Sequence, residues 1–581
     1  MSAAGWVQFA IFGVLVAIST PLLGIYMYKV FNRQDHVGSR VFDVVDNAIY
    51  RVCRIDPDGE QRWNVYAISM LLFSLAGFVL MYVLLRVQGH LPLNPDHMTN
   101  GGPGLSFNTA VSFITNTNWQ VYAGESTMSQ LSQMLALVVQ QFLSAAVGMA
   151  VGVALIRGIV RKRQTTLGSF WVDTTRATTR ILLPICFVFA LVFMSQGVIQ
   201  NFHAAKQVTT VAAQATHKTN DPALQQTVTQ GPISSMMSIE ELGNNGGGYL
   251  NANTAHSYEN PNPFTSIMLS WLVVMVPFAF AVTFGKWVKS MKQGGVILAS
   301  MVILFVIPLV LIPIFEGPGN PKLATANVNQ AATAANIGGN MEGKETRFGV
   351  SASAIEGNSI TATSTGSPNS AHESWMPLAG AMPLTNILLG EVSPGGSGSG
   401  LYGKLILVLL SVFIAGLMVG RTPEYLGKKI QAREMKLAVI YILAVPAAVL
   451  GFGAWGIVDK TALAGLWAHG PHGLTESVYT FASVTNNNGS AFAGITTGTH
   501  WYELVLGLGM LIGRYLPIVA VLAIAGSLVR KQPVPATAGT FRTDTPIFLG
   551  LLLAVTVILV GLTYFAVVAL GPIVEQLVGH F

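Results

Sequence analysis

The chain has 581 residues, 51% hydrophobic and only 10% charged. A soluble protein of this length needs roughly 25% charged residues to cover its surface, so a soluble globular protein is excluded and an integral membrane protein is expected. The formal net charge of +6 does not point to nucleic acid, because Lys and Arg fall in short clusters beside apolar stretches, as in cytoplasmic loops.

A membrane span needs about 20 apolar residues. Ten segments qualify: Trp6–Val30, Val65–Leu85, Leu131–Ile156, Ile181–Ile199, Phe264–Phe284, Gly295–Phe315, the long Met382–Val419, Leu437–Ile457, Tyr502–Val529 and Pro546–Ala569. The apolar stretch Trp6–Tyr28 of the first is long enough to span and no Lys or Arg precedes it, so it is not read as a cleaved signal peptide; Lys29, Arg33 and Arg40 come after that stretch, so the N-terminus is expected outside. Every second connection is basic: Lys29–Arg62, Arg157–Arg180, Lys286–Lys292, Arg421–Lys436 and Arg530–Arg542. With ten spans this alternation places both termini outside. Asn201–Gln230 and Gly317–Arg347, rich in Ala, Thr, Asn and Gln, read as external loops. Trp171–Arg180 is expected to lie along the inner surface or to form a simple loop. Cys53 and Cys186 share no metal-type spacing and read as small apolar residues.

After the first two spans, each outer connection holds a short helical run followed by a polar or glycine-rich turn. The runs are Leu105–Ile114, Ile233–Leu242, Ser351–Ala362 and Gly473–Val484. Their turns are Thr115–Trp119, Asn244–Gly248, Thr363–Ser367 and Thr485–Ser490. One such turn is an ordinary surface loop; four at equivalent places are a repeat. Non-helical backbone at membrane depth is tolerated only inside protein or along a wet cavity. Neutral oxygens in a ring replace the water of a monovalent cation and lack the carboxylates a divalent ion usually demands. The negative ends of the half-helices favour a cation too. The expected fold is therefore an all-α polytopic membrane protein of about ten transmembrane helices, with four span–pore helix–filter–span repeats around a central pore. The divisions are 1–62 (first span and cytoplasmic loop), 63–163, 164–292, 293–435 and 436–531 (the four repeats) and 532–581 (last span). Glu240 and Glu241, just before the second turn, are expected to be solvated or to cap buried backbone.

The third repeat departs from the rest. Its last span is nearly twice the length a straight helix needs, and Ser393–Gly400 interrupts it. A helix broken inside the membrane, below the filter, is expected. The Gly398, Gly400 and Gly403 spacing of a dinucleotide fingerprint is rejected, since no strand precedes it. Arg514 lies deep in the ninth span, where a charge marks an interior or a pathway. It is 25 residues past Gly489, as Glu391 is past Gly366, so Glu391 is its expected partner. Lys404 is a further charge near the break. His256 and His372 are expected to make local hydrogen bonds.

Thr115–Gln120, Leu242–Pro261 (LGNNGGGYLNANTAHSYENP), Gly416–Ile430 (GLMVGRTPEYLGKKI) and Thr485–Ser490 resemble the potassium-binding subunits of the bacterial Kdp potassium-transporting ATPases. The likeness covers essentially the whole chain. It implies K+ as the bound substrate ion, taken from the periplasm and passed sideways through an intramembrane path. It implies a P-type ATPase catalytic subunit, which carries ATP and Mg, together with small membrane subunits, in the bacterial inner membrane. By the same likeness the filter falls on Asn118, Gly246, Gly366 and Gly489, with Asn116, Thr117, Asn244, Asn245, Thr365, Asn487 and Asn488 beside them. The broken span, with Gly396, Gly398 and Gly400, corresponds to the family's gating loop and Arg514 to its intramembrane arginine; Arg421 lies in a cytoplasmic motif facing the ATPase partner. The residues alone specify a monovalent cation, and the choice of potassium rests on the resemblance.

No G-x-x-x-x-G-K-[ST] phosphate loop and no Asp-Lys-Thr-Gly-Thr phosphorylation motif occurs, so the chain is expected not to be an enzyme by itself. The alternative is a stand-alone potassium channel or ion-coupled symporter of the superfamily of potassium transporters built from four pore-loop repeats, in which the resemblance places the family. A membrane enzyme or scaffold finds no support in a His/Cys cluster, nucleophile motif or catalytic carboxylate pair.

Overall fold

The computed structural model describes residues 3–215, 224–333, 336–418, 420–535 and 541–579. Val419, at the end of the expected seventh span, lies outside the described residues, as do short stretches of Asn201–Gln230, Gly317–Arg347 and Arg530–Arg542. Among the described residues, ten helices are long and apolar enough to cross a membrane: Ala4–Phe31, Trp63–His90, Ser132–Val160, Phe170–Ser195, Pro263–Trp287, Met291–Thr325, Ser399–Met418, Ala432–Gly456, His500–Leu528 and Pro546–Val578. They are numbered spans one to ten.

Burial sorts these spans into two shells. The apolar windows of spans three, five, seven and nine are 89, 83, 72 and 67% buried. Those of spans two, four, six and eight are 28, 39, 44 and 28% buried, and those of spans one and ten 22 and 17%. The second span of each repeat is thus an inner helix and the first an outer one. Span three shows why its position suits it: Ala145, Ala146, Gly148, Ala150, Gly152 and Ala154 let neighbouring backbone approach closely. Span one packs along span five, and span nine along spans three and eight.

Four short helices enter between the spans of each repeat: Pro103–Ile114, Ile233–Leu242, Gly349–Ala362 and Gly470–Asn486. The first and last carry Pro in the opening turn, where a missing N–H costs nothing. The long third-repeat segment is broken as expected. One helix covers Pro377–Leu388, the next starts at Ser399, and the intervening residues form an irregular loop.

Trp171–Arg180 corrects the sequence reading. It is neither a loop nor a separate surface helix but the buried start of span four, running through a π-helical stretch at Ala177–Leu182. Its charges have partners distant in sequence. Asp173 pairs with Arg157 at 2.5 Å, and Arg180, 3% exposed, pairs with Asp46 and Asp43, both at 2.6 Å. Burial of such groups is tolerated only when they are paired, and local sequence does not reveal the pairing.

The segment after span seven makes a small antiparallel hairpin, Glu424–Tyr425 against Lys428–Lys429. Lys428 is 1% exposed, and its Nζ donates to Gly158 O and Leu528 O, both at 2.8 Å, and to Arg161 O. A cation on the carbonyls that end spans three and nine meets the negative ends of both helices.

Candidate functional site

The C-terminal ends of the four pore helices lead into four turns whose backbones abut in order. Glycine packing maps this contact. A side chain on Gly247 would strike Asn118, one on Gly246 the backbone of Gly366, one on Gly366 the backbone of Gly489, and one on Gly489 the Thr117 carbonyl. Turn one thus meets turn two, two meets three, three meets four, and four returns to one. Gly246, at φ 78°, also holds a conformation that side chains resist.

Side-chain amides close the same ring. Asn116 Nδ2 donates to Asn244 O at 2.7 Å, Asn244 Nδ2 to Thr365 Oγ1 at 3.0 Å, and Asn487 Nδ2 to Thr117 Oγ1 at 2.9 Å. The seam between turns three and four is closed from the other side, by Asn488 Nδ2 donating to Thr363 O at 2.6 Å. Asn116, Asn244 and Asn487 occupy one position of the repeat, all with positive φ. Asn tolerates that conformation better than most residues. Asn244 and Asn487 also donate to carbonyls of the inner helices, Val273 O and Met510 O. Asn245 Nδ2 donates to Asn116 Oδ1 at 2.9 Å. Asn118 occupies the glycine position of turn one; among the described residues its buried amide has no hydrogen-bond partner at either Nδ2 or Oδ1. The expected filter residues are therefore brought together in one ring.

The irregular loop of the third repeat lies against this ring. Ser364 Oγ donates to Glu391 Oε2 at 2.6 Å, Ser397 Oγ to Asn244 Oδ1 at 2.7 Å, and Gly395 N to Ala362 O at 2.9 Å. Gly396 packs against Ser364 and Ser399, while a Cβ on Gly400 would strike Pro394 backbone. Gly398, at φ 91°, lies so close to the Gly148 carbonyl of span three that no larger residue fits.

The expected Arg514–Glu391 ion pair is absent among the described residues. Arg514, 5% exposed, donates Nη2 to Ser144 O at 3.1 Å, and Glu391 is held by Ser364. Equal depth along two helices does not by itself make equal direction. Both residues instead line one cavity of about 110 Å³ beside Ser364, Ser399, Asn486 and Asn487. Ser144, which the sequence did not single out, joins these parts: its Oγ donates to Asn116 Oδ1 at 2.7 Å and its carbonyl accepts from Arg514. Lys404 is fully buried in span seven, and among the described residues its Nζ has no hydrogen-bond partner. Arg421 is exposed and lines a small pocket with Glu424 and Phe541.

Glu240 and Glu241 are another correction: both are 0% exposed, not solvated. Glu241 accepts from Ser367 Oγ at 2.6 Å, and neither oxygen of Glu240 has a hydrogen-bond partner among the described residues. Glu259 and Glu356 are buried as well. The histidines make local bonds. His256 Nδ1 accepts from Tyr258 N, and His372 Nδ1 lies 3.0 Å from the Tyr479 hydroxyl, which contacts Ser490. Burial, with the Lys344 charge adding to it, pushes the His372 imidazole down to about 3.

The chain matches the model of the family described as potassium-transporting ATPase A subunit, KdpA, over residues 10–577. Among similar proteins is the potassium-transporting ATPase potassium-binding subunit of Mycobacterium tuberculosis (strain H37Rv), 49% identical, with 99% of this chain and 100% of that one covered. The subunit of the same description from Rhodospirillum centenum is 48% identical, covering 99% and 98%. That from Mesorhizobium japonicum is 46% identical, covering 99% of each chain. With its ten spans and the match over nearly its full length, the chain belongs to the family of potassium-transporting ATPase A subunits.

Proposed function

We propose that this chain is the potassium-binding and potassium-selecting subunit of an ATP-driven uptake complex in the bacterial inner membrane. It takes K+ from the outer side into the four-turn ring and delivers it through an intramembrane path to a P-type ATPase subunit, which hydrolyses ATP with Mg. Small membrane subunits complete the assembly. The observation that carries this reading is the closed ring, in which the turns after four pore helices are joined one to the next by neutral amide hydrogen bonds and backbone contact. Helix ends and neutral oxygens suit a monovalent cation.

In this reading the irregular loop beneath the ring, with Gly396, Gly398 and Gly400, closes the straight way out. The ion then leaves sideways, and the cavity lined by Glu391 and Arg514 supports such a route. Arg514 and Lys404 repel a cation moving straight down, and Arg421 faces the ATPase partner.

The test is reconstitution. The isolated chain is expected to show no ATPase activity and little conductance, and co-expression with P-type and small subunits to give potassium-stimulated ATP hydrolysis. Full potassium flux through the isolated chain in liposomes would overturn the pump reading in favour of a channel or symporter.

A further inference from the structure

We propose a second cation site, for a divalent transition metal of the Zn2+ class, at the mouth formed by the third and fourth repeats. One ligand atom each from Glu373, His472 and Glu476 lies within 4.8 Å of the others. These residues come from separate stretches: Glu373 follows the third turn, and His472 and Glu476 stand on the fourth pore helix. The 98 residues between Glu373 and His472 hide the cluster from any spacing motif.

The site is built. Glu476 is only 1% exposed. Its Oε2 is held by the N–H of Ala468 at 3.1 Å, while Oε1 turns toward Gly494, where Glu373 Oε2 also lies; a side chain on Gly494 would strike both. Two carboxylate oxygens thus converge, and among the described residues neither carboxylate is ion-paired with Lys or Arg. Glu373 is fixed from behind by its N–H, which donates to Phe492 O at 2.8 Å. The imidazole of His472 is aimed by a third carboxylate, with Nδ1 2.8 Å from Glu575 Oε1. Donation of Nδ1–H to that carboxylate leaves the other ring nitrogen its lone pair, the second-shell arrangement that orients a metal-binding histidine.

The donor set chooses the ion. An imidazole with two carboxylates suits Zn2+, with an open fourth position for water. The hard ions Ca2+ and Mg2+ prefer oxygen alone, and a divalent charge meets the converging carboxylates better than a monovalent one. When occupied, the site ties the third turn, the fourth pore helix and the C-terminal helix together.

The experiment is Zn2+ titration of the complete complex by calorimetry, in a Cys53→Ser background because Cys53 is exposed, with X-ray absorption at the zinc edge. One Zn2+ per chain is expected, in a nitrogen and oxygen shell at roughly 2.0–2.2 Å. Glu373→Gln and Glu476→Gln are expected to abolish stoichiometric binding, and Glu575→Gln to weaken it by about 10–100-fold. Glu373 is partly exposed and Gln matches its size, so Glu373→Gln is expected to fold and decides the matter even where Glu476→Gln does not. Absence of stoichiometric binding in the parent complex, sulfur ligation, or undiminished affinity in Glu373→Gln would overturn the proposal. The readout is Zn2+ itself, so the result is independent of the potassium reading.

Discussion

Turns one, two and four share a residue that turn three lacks, and the difference explains how the ring and the broken span are joined. In the first group Asn116, Asn244 and Asn487 adopt positive φ, and each reaches into the next turn of the ring. Turn three has Ser364 there. Its shorter side chain does not bridge a seam but donates to Glu391, at the top of the break in the third repeat. The seam it leaves is closed by Asn488 from turn four. Three turns therefore spend this position on holding the ring closed, and the fourth uses it to hold the ring to the loop beneath.

The comparison can be tested from its strongest point downward. Gly246→Asp should have the largest effect, because it adds a charge, a forbidden φ and a collision with Gly366 backbone. Strain of about 1–3 kcal/mol alone predicts roughly a 10–100-fold loss of apparent potassium affinity, measured by potassium-stimulated ATP hydrolysis of the reconstituted complex. Unchanged affinity and selectivity would remove Gly246 from the filter.

Opening one seam should do less. Asn116→Ala and Asn487→Ala each remove an amide shared with a neighbouring turn and leave buried acceptors unpaired, at a cost of about 1–3 kcal/mol. Affinity is expected to fall at both of these positions. Ser364→Ala should break the symmetry. It leaves all four seams intact, so potassium affinity should change by less than about threefold, while the maximal rate changes because Glu391 is released. An affinity loss matching that of Asn116→Ala would show that turn three works like the others.

The smallest expected effect concerns pH. His372 is held neutral, with its pKa pushed down to about 3, mainly by burial. A histidine whose folded value lies below its unfolded one, about 6.5, contributes no penalty above that pH. It destabilises the protein as pH falls from about 6.5 toward 3, because the unfolded chain takes up a proton that the folded one refuses. Thermal unfolding should therefore weaken below pH 6.5, and His372→Gln should flatten that dependence while leaving the affinity profile between pH 7 and 8 unchanged.

Much of this architecture is legible in the sequence because it is written in local signals. Apolar length gives the spans, and the tetrads after short helical runs give the turns. The doubled length around Ser393–Gly400 gives the break, which the structure places at the gap between Leu388 and Ser399. The Asn shared by turns one, two and four is also visible when the turns are laid over one another. What escapes is direction and partnership. Arg514 and Glu391 match in depth but bond elsewhere, and Trp171–Arg180 looks like a surface segment because Asp46 and Asp43 lie more than a hundred residues away. Glu240 and Glu241 look solvated because nothing local records that Ser367 and the adjoining turn enclose them.

Lys428 has a mechanical consequence. Its single ammonium holds the carbonyl ends of spans three and nine, elements from the first and last repeats. Sliding one helix past the other by even a fraction of a turn would strip that group of an acceptor, so the two behave as one rigid stave. Three of the inner helices run unbroken, and two of these three are bolted at the basic end. Compliance is left to the segment between Leu388 and Ser399, where the backbone is neither helical nor clamped by a cation.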